Sequence, residues 1–162
     1  MKKPLIISIG REYGSAGHEI GRKLADKLDI PFYDRNLLDE VANLKNVNAD
    51  ALYQYDEAPH RLFASRTVRG YTNSPEENIA ELQFALLKQK AADEDSFVIV
   101  GRCSDTIFKG LTNYVSIFIT GDYPEKLQRV MEKRNMNEKT AKKTILRHDK
   151  KRRWYHDHYS SS

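Results

Sequence analysis

The chain has a single cysteine, Cys103, in 162 residues. That excludes an intrachain disulfide and any zinc site built on paired cysteines, and it suits a reducing cytoplasm. Long hydrophobic runs are missing too. The longest are about five residues, against the roughly 20 that span a bilayer, so no membrane partner is expected. Met1-Lys2-Lys3 ahead of Leu5–Ile9 mimics the start of a signal peptide. Gly10, Arg11 and Glu12 cut the apolar stretch too short for one. There is no internal repeat, and no low-complexity tract beyond the closing serines. What remains is 40% hydrophobic and 31% charged, an ordinary balance for one domain, residues 1–162, with a real core. Nothing in it sets an oligomeric state.

Charge of one sign is scarce only locally. The net charge is +4, but from Lys126 to Arg153 the acids are Glu132, Glu138 and Asp149 alone, against twelve Lys or Arg. A basic C-terminal third points to an anionic partner, although a charge run by itself more often marks a solvated helix face.

The richest stretch is the start. Leu5-Ile6-Ile7-Ser8-Ile9 predicts a buried strand. Gly10 to Gly17 predicts a glycine-rich turn, and His18 to Leu28 a helix, with Ile20, Leu24, Ala25 and Leu28 at helical spacing. Strand, glycine loop and helix make a phosphate cradle, because small residues let consecutive N–H groups converge on an anion at the positive end of a helix. The usual pattern G-x-x-x-x-G-K-[ST] is altered: His18 stands in the lysine's place, and Glu19 where Ser or Thr would meet a metal.

Further strands are expected at Pro31–Asp34, Phe97–Val100 and Tyr114–Thr120. Helices are expected at Asn36–Leu44, from Pro75 behind a Ser74 cap, from Pro124 to about Arg134, and from Glu138 to Arg153. Asp50 to Ser74 predicts irregular structure or short helices in a flap. Trp154 onward is expected to be a tail, with His156 and His158 too close in register to share a helical metal face. Continuous apolar strands alternating with helices imply an α/β, doubly wound parallel sheet. Its ligands would bind beyond the strands' carboxyl ends. Gly10–His18, Asp34-Arg35 and Gly101-Arg102 all fall there.

These segments together resemble the cytidylate kinase family, more closely its cytidylate kinase-like branch, within the P-loop nucleoside monophosphate kinases. Four pieces carry the resemblance: Glu12-Tyr13-Gly14-Ser15-Ala16-Gly17-His18, Phe32-Tyr33-Asp34-Arg35, Val98-Ile99-Val100-Gly101-Arg102, and Arg147-His148-Asp149-Lys150-Lys151-Arg152-Arg153. It implies a three-layer P-loop kinase fold with a flap over residues 35–95 and a helical lid over residues 125–155. It implies transfer of the ATP γ-phosphoryl group to CMP or dCMP with Mg²⁺. Arg11, Tyr13, Gly14, Ser15, Ala16, Gly17, His18 and Glu19 would then hold the donor, and Asp34, Arg35, Arg102, Asp105 and Arg153 the acceptor. Arg102, Arg147, Arg152 and Asp34 would serve the transfer, with Asp34 near Mg²⁺ through water.

The chain departs from the family pattern at several places. His18 replaces lysine, and Arg11 is a candidate for the missing charge. Cys103 rather than Asp follows Gly101-Arg102, with Asp105 two residues on. Glu40 falls near the family's acceptor arginine, where Arg35 could substitute. No strand candidate follows the lid, so either the sheet has four strands here or a further strand lies beyond the chain. The glycines also suit a plain tight turn, His18 an exposed loop, Asp34 a helix cap, Arg102 a surface ion pair, and Cys103 a small buried packing group. A nucleotide-binding regulatory protein of the same fold, with little catalysis, is the alternative. Nucleic-acid binding through the basic helix ranks last, since no readout motif accompanies it.

Overall fold

The structure, a computed structural model, describes residues 4–56, 67–68, 71–72, 74–93 and 95–160. Strand β1 (Ile6–Arg11) leads into helix α1 (Gly17–Leu28), then β2 (Phe32–Tyr33), α2 (Leu37–Lys45) and the short α3 (Ala49–Tyr53). A small antiparallel pair, β3 (Thr67–Val68) and β4 (Tyr71–Thr72), precedes α4 (Pro75–Ala92). Then come β5 (Phe97–Val100), α5 (Ser104–Ile107), β6 (Tyr114–Ile119), α6 (Tyr123–Arg134) and α7 (Glu138–Ser160).

The main sheet has four strands in the order β2-β5-β1-β6, all parallel. Alternation along β1 and β5 divides the core. Ile6, Phe97 and Ile99 meet Leu37, Val41, Leu86 and Leu87 of α2 and α4 on one face. Ile7, Ile9, Val98 and Val100 meet Ala25 and Leu24 of α1 on the other. The central strands are buried on both faces, which is why they read as apolar runs rather than alternating ones; the polar Ser8 within β1 is buried and bonded to Ser104 Oγ at 2.6 Å. β6 is different. It is an edge strand, and Val115, Ile117 and Phe118 are 45%, 38% and 66% exposed.

Local chemistry explains most boundaries. Ser74 accepts from the Glu77 N–H at 3.4 Å, and Pro75 opens α4 with acids in its first turn. α1, α2 and α6 end on left-handed Asp29, Asn46 and Asn135. Tyr53 of α3 donates to Asp39 Oδ1 at 2.6 Å, tying α3 to α2, and this bond with burial pushes the phenol up to about 12.

Two expectations need correction. β1 continues through Gly10 and Arg11, because both pair with β6; the Phe118 ring lies where a Cβ on residue 10 would stand, 2.5 Å away. And the tail is not a tail. α7 runs on past Arg153 to Ser160, with Tyr155 buried and His156 Nε2 2.7 Å from Asp105 Oδ2. Tyr155 and Tyr159, four residues apart, share one face, and Tyr159 packs edge-on against Phe84 of α4. No Gly or Pro stands after Arg153 to stop the helix. Among the described residues no helix is long and apolar enough to cross a membrane.

Candidate active site

A cleft of about 610 Å³ opens beyond the carboxyl ends of β1, β2 and β5. The three strand ends singled out in the sequence meet there, because β5 lies between β1 and β2. The β1–α1 loop forms its floor. Gly14 and Ala16 take left-handed backbones, φ 85° and 65°, so the loop curls back on itself. Ser15 turns inward. Its Oγ donates to the Glu12 carbonyl at 2.8 Å and accepts from the Gly17 N–H at 3.4 Å. Among the described residues, the N–H groups of Gly14, Ala16 and His18 have no acceptor. Three orphan donors at the start of a 12-residue helix make an anion cradle.

Arg11 runs through a slot between two glycines. A Cβ on Gly17 would lie 2.4 Å from Arg11 Cβ, and one on Gly101 would lie 2.6 Å from Arg11 Nη1. The slot sets the guanidinium against Gly101 at the end of β5, and Arg11 lines the cleft.

His18 does not reach over the cradle as the replaced lysine would. Its Nε2 meets Asp34 Oδ2 at 2.5 Å, and its ring stands edge-on to Phe32. Burial raises the Asp34 carboxyl, but the Asn36 N–H, the His18 ring and the Arg102 charge outweigh it, so Asp34 lies below the ordinary carboxylate value. A Mg²⁺ ion arriving with nucleotide phosphates needs one or two carboxylates, and Asp34 fits that demand: ionised and facing the cleft. Glu19 is engaged otherwise, paired with Lys133 and Arg129 of α6.

The lid sits on the loop. Lys126 Nζ donates to Glu12 Oε2 at 2.7 Å, and that bond, with the Gly121 N–H, holds Glu12 below its usual value despite some burial. From α7, Asp149 Oδ1 accepts the Tyr13 N–H at 2.7 Å. The Tyr13 ring stacks on His148 at 4.3 Å and 8°, and the Arg152 guanidinium lies 5.4 Å from the same ring. α6 and α7 join through Val130, Ala141 and Ile145, a small core of the lid's own.

His148 lies below the ordinary histidine value, first through burial, then through Arg147, Arg152, Lys151 and Arg134. A phosphate anion in the cleft would cancel part of that repulsion. Pyrophosphate or ATP should therefore shift the His148 ring titration, followed by NMR, to higher pH; an unmoved titration would place the anion elsewhere. The stability sign follows. A depressed folded value means the unfolded chain takes up the proton first. His148 thus supports folding above about pH 6.5, and that support drains away as pH falls through the lower folded value.

At the end of β5, Gly101, Arg102 and Cys103 are all left-handed, with φ 77°, 62° and 51°. This turn buries Arg102 to 3% exposure, and its fork meets both oxygens of Asp56. Arg35 reaches Asp56 Oδ2 through Nε at 3.2 Å.

The cleft thus gathers Arg11, Tyr13, Gly14, Ala16, Gly17, His18, Glu19, Asp34, Arg35, Arg102 and Arg152. It does not gather all the expected residues. Arg147 is exposed and lies outside the lining. Asp105 and Arg153 line a second cavity, of about 510 Å³, on the other side of Arg11 and Arg102. Glu40 is paired with Lys90 at 2.8 Å. The cleft also holds residues to which the sequence assigned no site role: Asp56, Arg129, Lys133, Arg134, His148 and Lys151. The five basic ones sat inside the charge run, where only helical phase separates one from another. Asp56 carried no signal at all.

A glycine loop between strand and helix at the carboxyl edge of a parallel sheet, under a basic helical lid, defines an α/β protein of the P-loop kinase class. A family model described as the cytidylate kinase-like family matches residues 6–162. The chain belongs to the cytidylate kinase-like family, and with it comes a kinase-like function on nucleotides. A crystal structure of an uncharacterized protein from Eubacterium ventriosum ATCC 27560 is 37% identical, with a TM-score of 0.74; the match covers 98% of this chain and 79% of that one. Two looser likenesses are a shikimate kinase from Acinetobacter baumannii in complex with shikimate and TT1252 from Thermus thermophilus. The first is 15% identical at TM-score 0.46, covering 94% of this chain and 79% of that one; the second is 17% identical at 0.48, covering 86% and 78%. No curated protein matches.

Proposed function

We infer that the protein transfers the γ-phosphoryl group of ATP to a nucleoside monophosphate, CMP or dCMP in first place. The observation that carries this is the convergence of three strand ends, with the glycine loop, Asp34-Arg35 and Arg102, in one cleft under a basic lid. An oxygen of the acceptor phosphate attacks the γ-phosphorus, the bond from that phosphorus to the β-bridging oxygen breaks, and ADP leaves with the electron pair. Such a transfer calls for placement and charge neutralisation rather than a protein nucleophile. The Gly14, Ala16 and His18 N–H groups hold donor phosphates, and Arg11 adds a permanent charge to the same cleft. Arg35 and Arg102 hold the acceptor phosphate, since guanidinium forks match phosphate geometry. Arg152 arrives from the lid, between Tyr13 and the end of β1. Asp34 would hold a Mg²⁺ ion brought by the ATP phosphates, and the ion would supply further neutralisation. A cytoplasmic setting suits the lone buried thiol.

The test is a coupled assay for ADP with ATP, Mg²⁺ and a panel of nucleoside monophosphates. CMP or dCMP should lead the panel. Within it, Arg152→Ala should lose about a hundredfold in kcat/KM, while Arg147→Ala, outside the cleft, stays near the parent. Equal losses would mean that the lid's charge matters only as a diffuse field.

The turn of His18 toward Asp34 favours one second reading: a nucleotide-binding regulatory protein with the same fold and little turnover. It forecasts thermal stabilisation by ATP with no ADP above background for any acceptor. Nucleic acid remains last as a partner, because Arg129 and Lys133 face the cleft and pair with Glu19.

A further inference from the structure

The fork of Arg102 is filled from within the chain. Its Nη1 and Nη2 donate to Oδ1 and Oδ2 of Asp56, the second at 3.0 Å. Arg35 Nε closes on Oδ2 from the other side at 3.2 Å. Lys151 Nζ stands 3.5 Å from the Asp56 carbonyl oxygen. Asp56 is 9% exposed, yet it lines the cleft. A carboxylate in a two-arginine cage, beyond the ends of β2 and β5, occupies the place where an anionic ligand would be gripped.

Charge makes this occupant a poor final one. Among the described residues, Asp56 is the carboxylate that bonds both guanidiniums, and it brings a single charge and two oxygens. A phosphate monoester brings about −1.5 to −2 at neutral pH, with three acceptor oxygens. Exchange of the first for the second improves both the charge balance and the hydrogen bonding of the cage. A singly charged anion gains nothing over Asp56.

We propose that Asp56 is an internal stand-in for the acceptor's phosphate: its carboxylate holds Arg35 and Arg102 until a phosphate monoester displaces it. The nature of the acceptor rests on the kinase reading above; the cage itself does not. The arrangement has two effects. A buried guanidinium is never left without a counter-charge, which would be strongly destabilising. And the site discriminates by charge, because entry requires an anion able to evict a bidentate carboxylate.

Calorimetric titration of the full chain with CMP and with inorganic phosphate tests this. Asp56→Asn keeps the shape and removes the charge. The dissociation constants for both ligands should fall about tenfold, as one charge-assisted competitor is lost. Asp56→Glu, which keeps the charge, should stay weaker than Asp56→Asn. A folded Asp56→Asn chain that binds both ligands no better than the parent overturns the proposal. Should that variant not fold, the parent decides by itself. In its crystals with CMP, phosphate oxygens should lie on Arg102 Nη1 and Nη2, with the Asp56 carboxylate withdrawn from both. CMP bound with the Arg102–Asp56 fork intact overturns the stand-in. The kinase reading fails separately: no ADP with any monophosphate, while Asp56→Asn still tightens inorganic phosphate, removes the reaction and keeps the stand-in.

Discussion

Arg102→Ala should lower kcat/KM for the acceptor by about a thousandfold, the lower end of what one arginine contributes to phosphoryl transfer. The expectation rests on how much structure is committed to aiming this side chain. Arg102 and Cys103 are non-glycine residues in the left-handed region, where strain costs of order 1–3 kcal/mol each. Ser104 holds the turn, its Oγ donating to the Gly101 carbonyl at 2.7 Å. Stability should also fall, by about 3 kcal/mol, the low end for breaking a buried pair, since Arg35 still holds Asp56. Arg102→Lys separates the two effects. It returns a charge without a fork, so it should recover folding, read by urea denaturation, better than turnover, read by ADP formation. Turnover in Arg102→Ala within about threefold of the parent would take the residue out of the transition state.

Gly17→Ala should weaken ATP binding by at least about a hundredfold, the scale of a small misplacement in a positioned site. Gly17 has an ordinary helical backbone; the obstacle is space. Its new methyl would lie 2.4 Å from Arg11 Cβ and 3.1 Å from Arg11 Cγ. Both β-carbons are fixed to backbone, so either the end of β1 or the first turn of α1 must shift. The Ala16 and His18 N–H groups flank the shift and lose their common focus. Overpacking adds a stability loss of about 1–3 kcal/mol. Gly21→Ala is the matched control. Its methyl would crowd Ile9, Phe32 and Val100 in the core at 3.0–3.1 Å, away from the loop, so stability should fall while ATP affinity holds. Calorimetry with ATP and urea denaturation read both. A Gly17→Ala chain that binds ATP like the parent would mean the loop is only a turn.

The sheet was legible because β1 and β5 are buried on both faces and so read as apolar runs, broken in β1 only by the buried Ser8. The same signal marked β6 as a strand but said nothing of its place. Tyr114–Ile119 is as apolar as a central strand, yet it forms the edge and shows Phe118 to solvent. Pattern reports hydrophobicity, not rank in the sheet. The start of α4 was readable from Ser74 and Pro75, whose effects are local. The end of α7 was not, because the partners of Tyr155 and Tyr159 lie in distant segments. Of the candidate site residues, those at a strand end come together in the cleft: the glycine loop, Asp34, Arg35 and Arg102. Of those set by helical phase, Arg152 lines the cleft and Arg147 does not. Ile145, His148, Asp149 and Arg152 share the face of α7 that meets the lid core, the Tyr13 ring or the loop. Arg147 is one step out of phase, and nothing in a run of cations marks which face will turn inward. Asp56 was out of reach altogether, since its partners lie 21 and 46 residues away.

The slot around Arg11 constrains how this sequence can change over generations. Positions 11, 17 and 101 share one volume, so they behave as a single heritable unit rather than three sites. The coupling is directional. A shorter residue at 11 clears the space beside Gly101, where only the tip of the arginine intrudes, though the left-handed backbone there still favours glycine. It does nothing for Gly17, which meets the β-carbon that every residue but glycine carries. A lineage that surrendered the arginine could therefore drift at 101 and would stay locked at 17. One that kept the arginine would find both doors shut, and would inherit the charge beside Gly101 along with the room made for it.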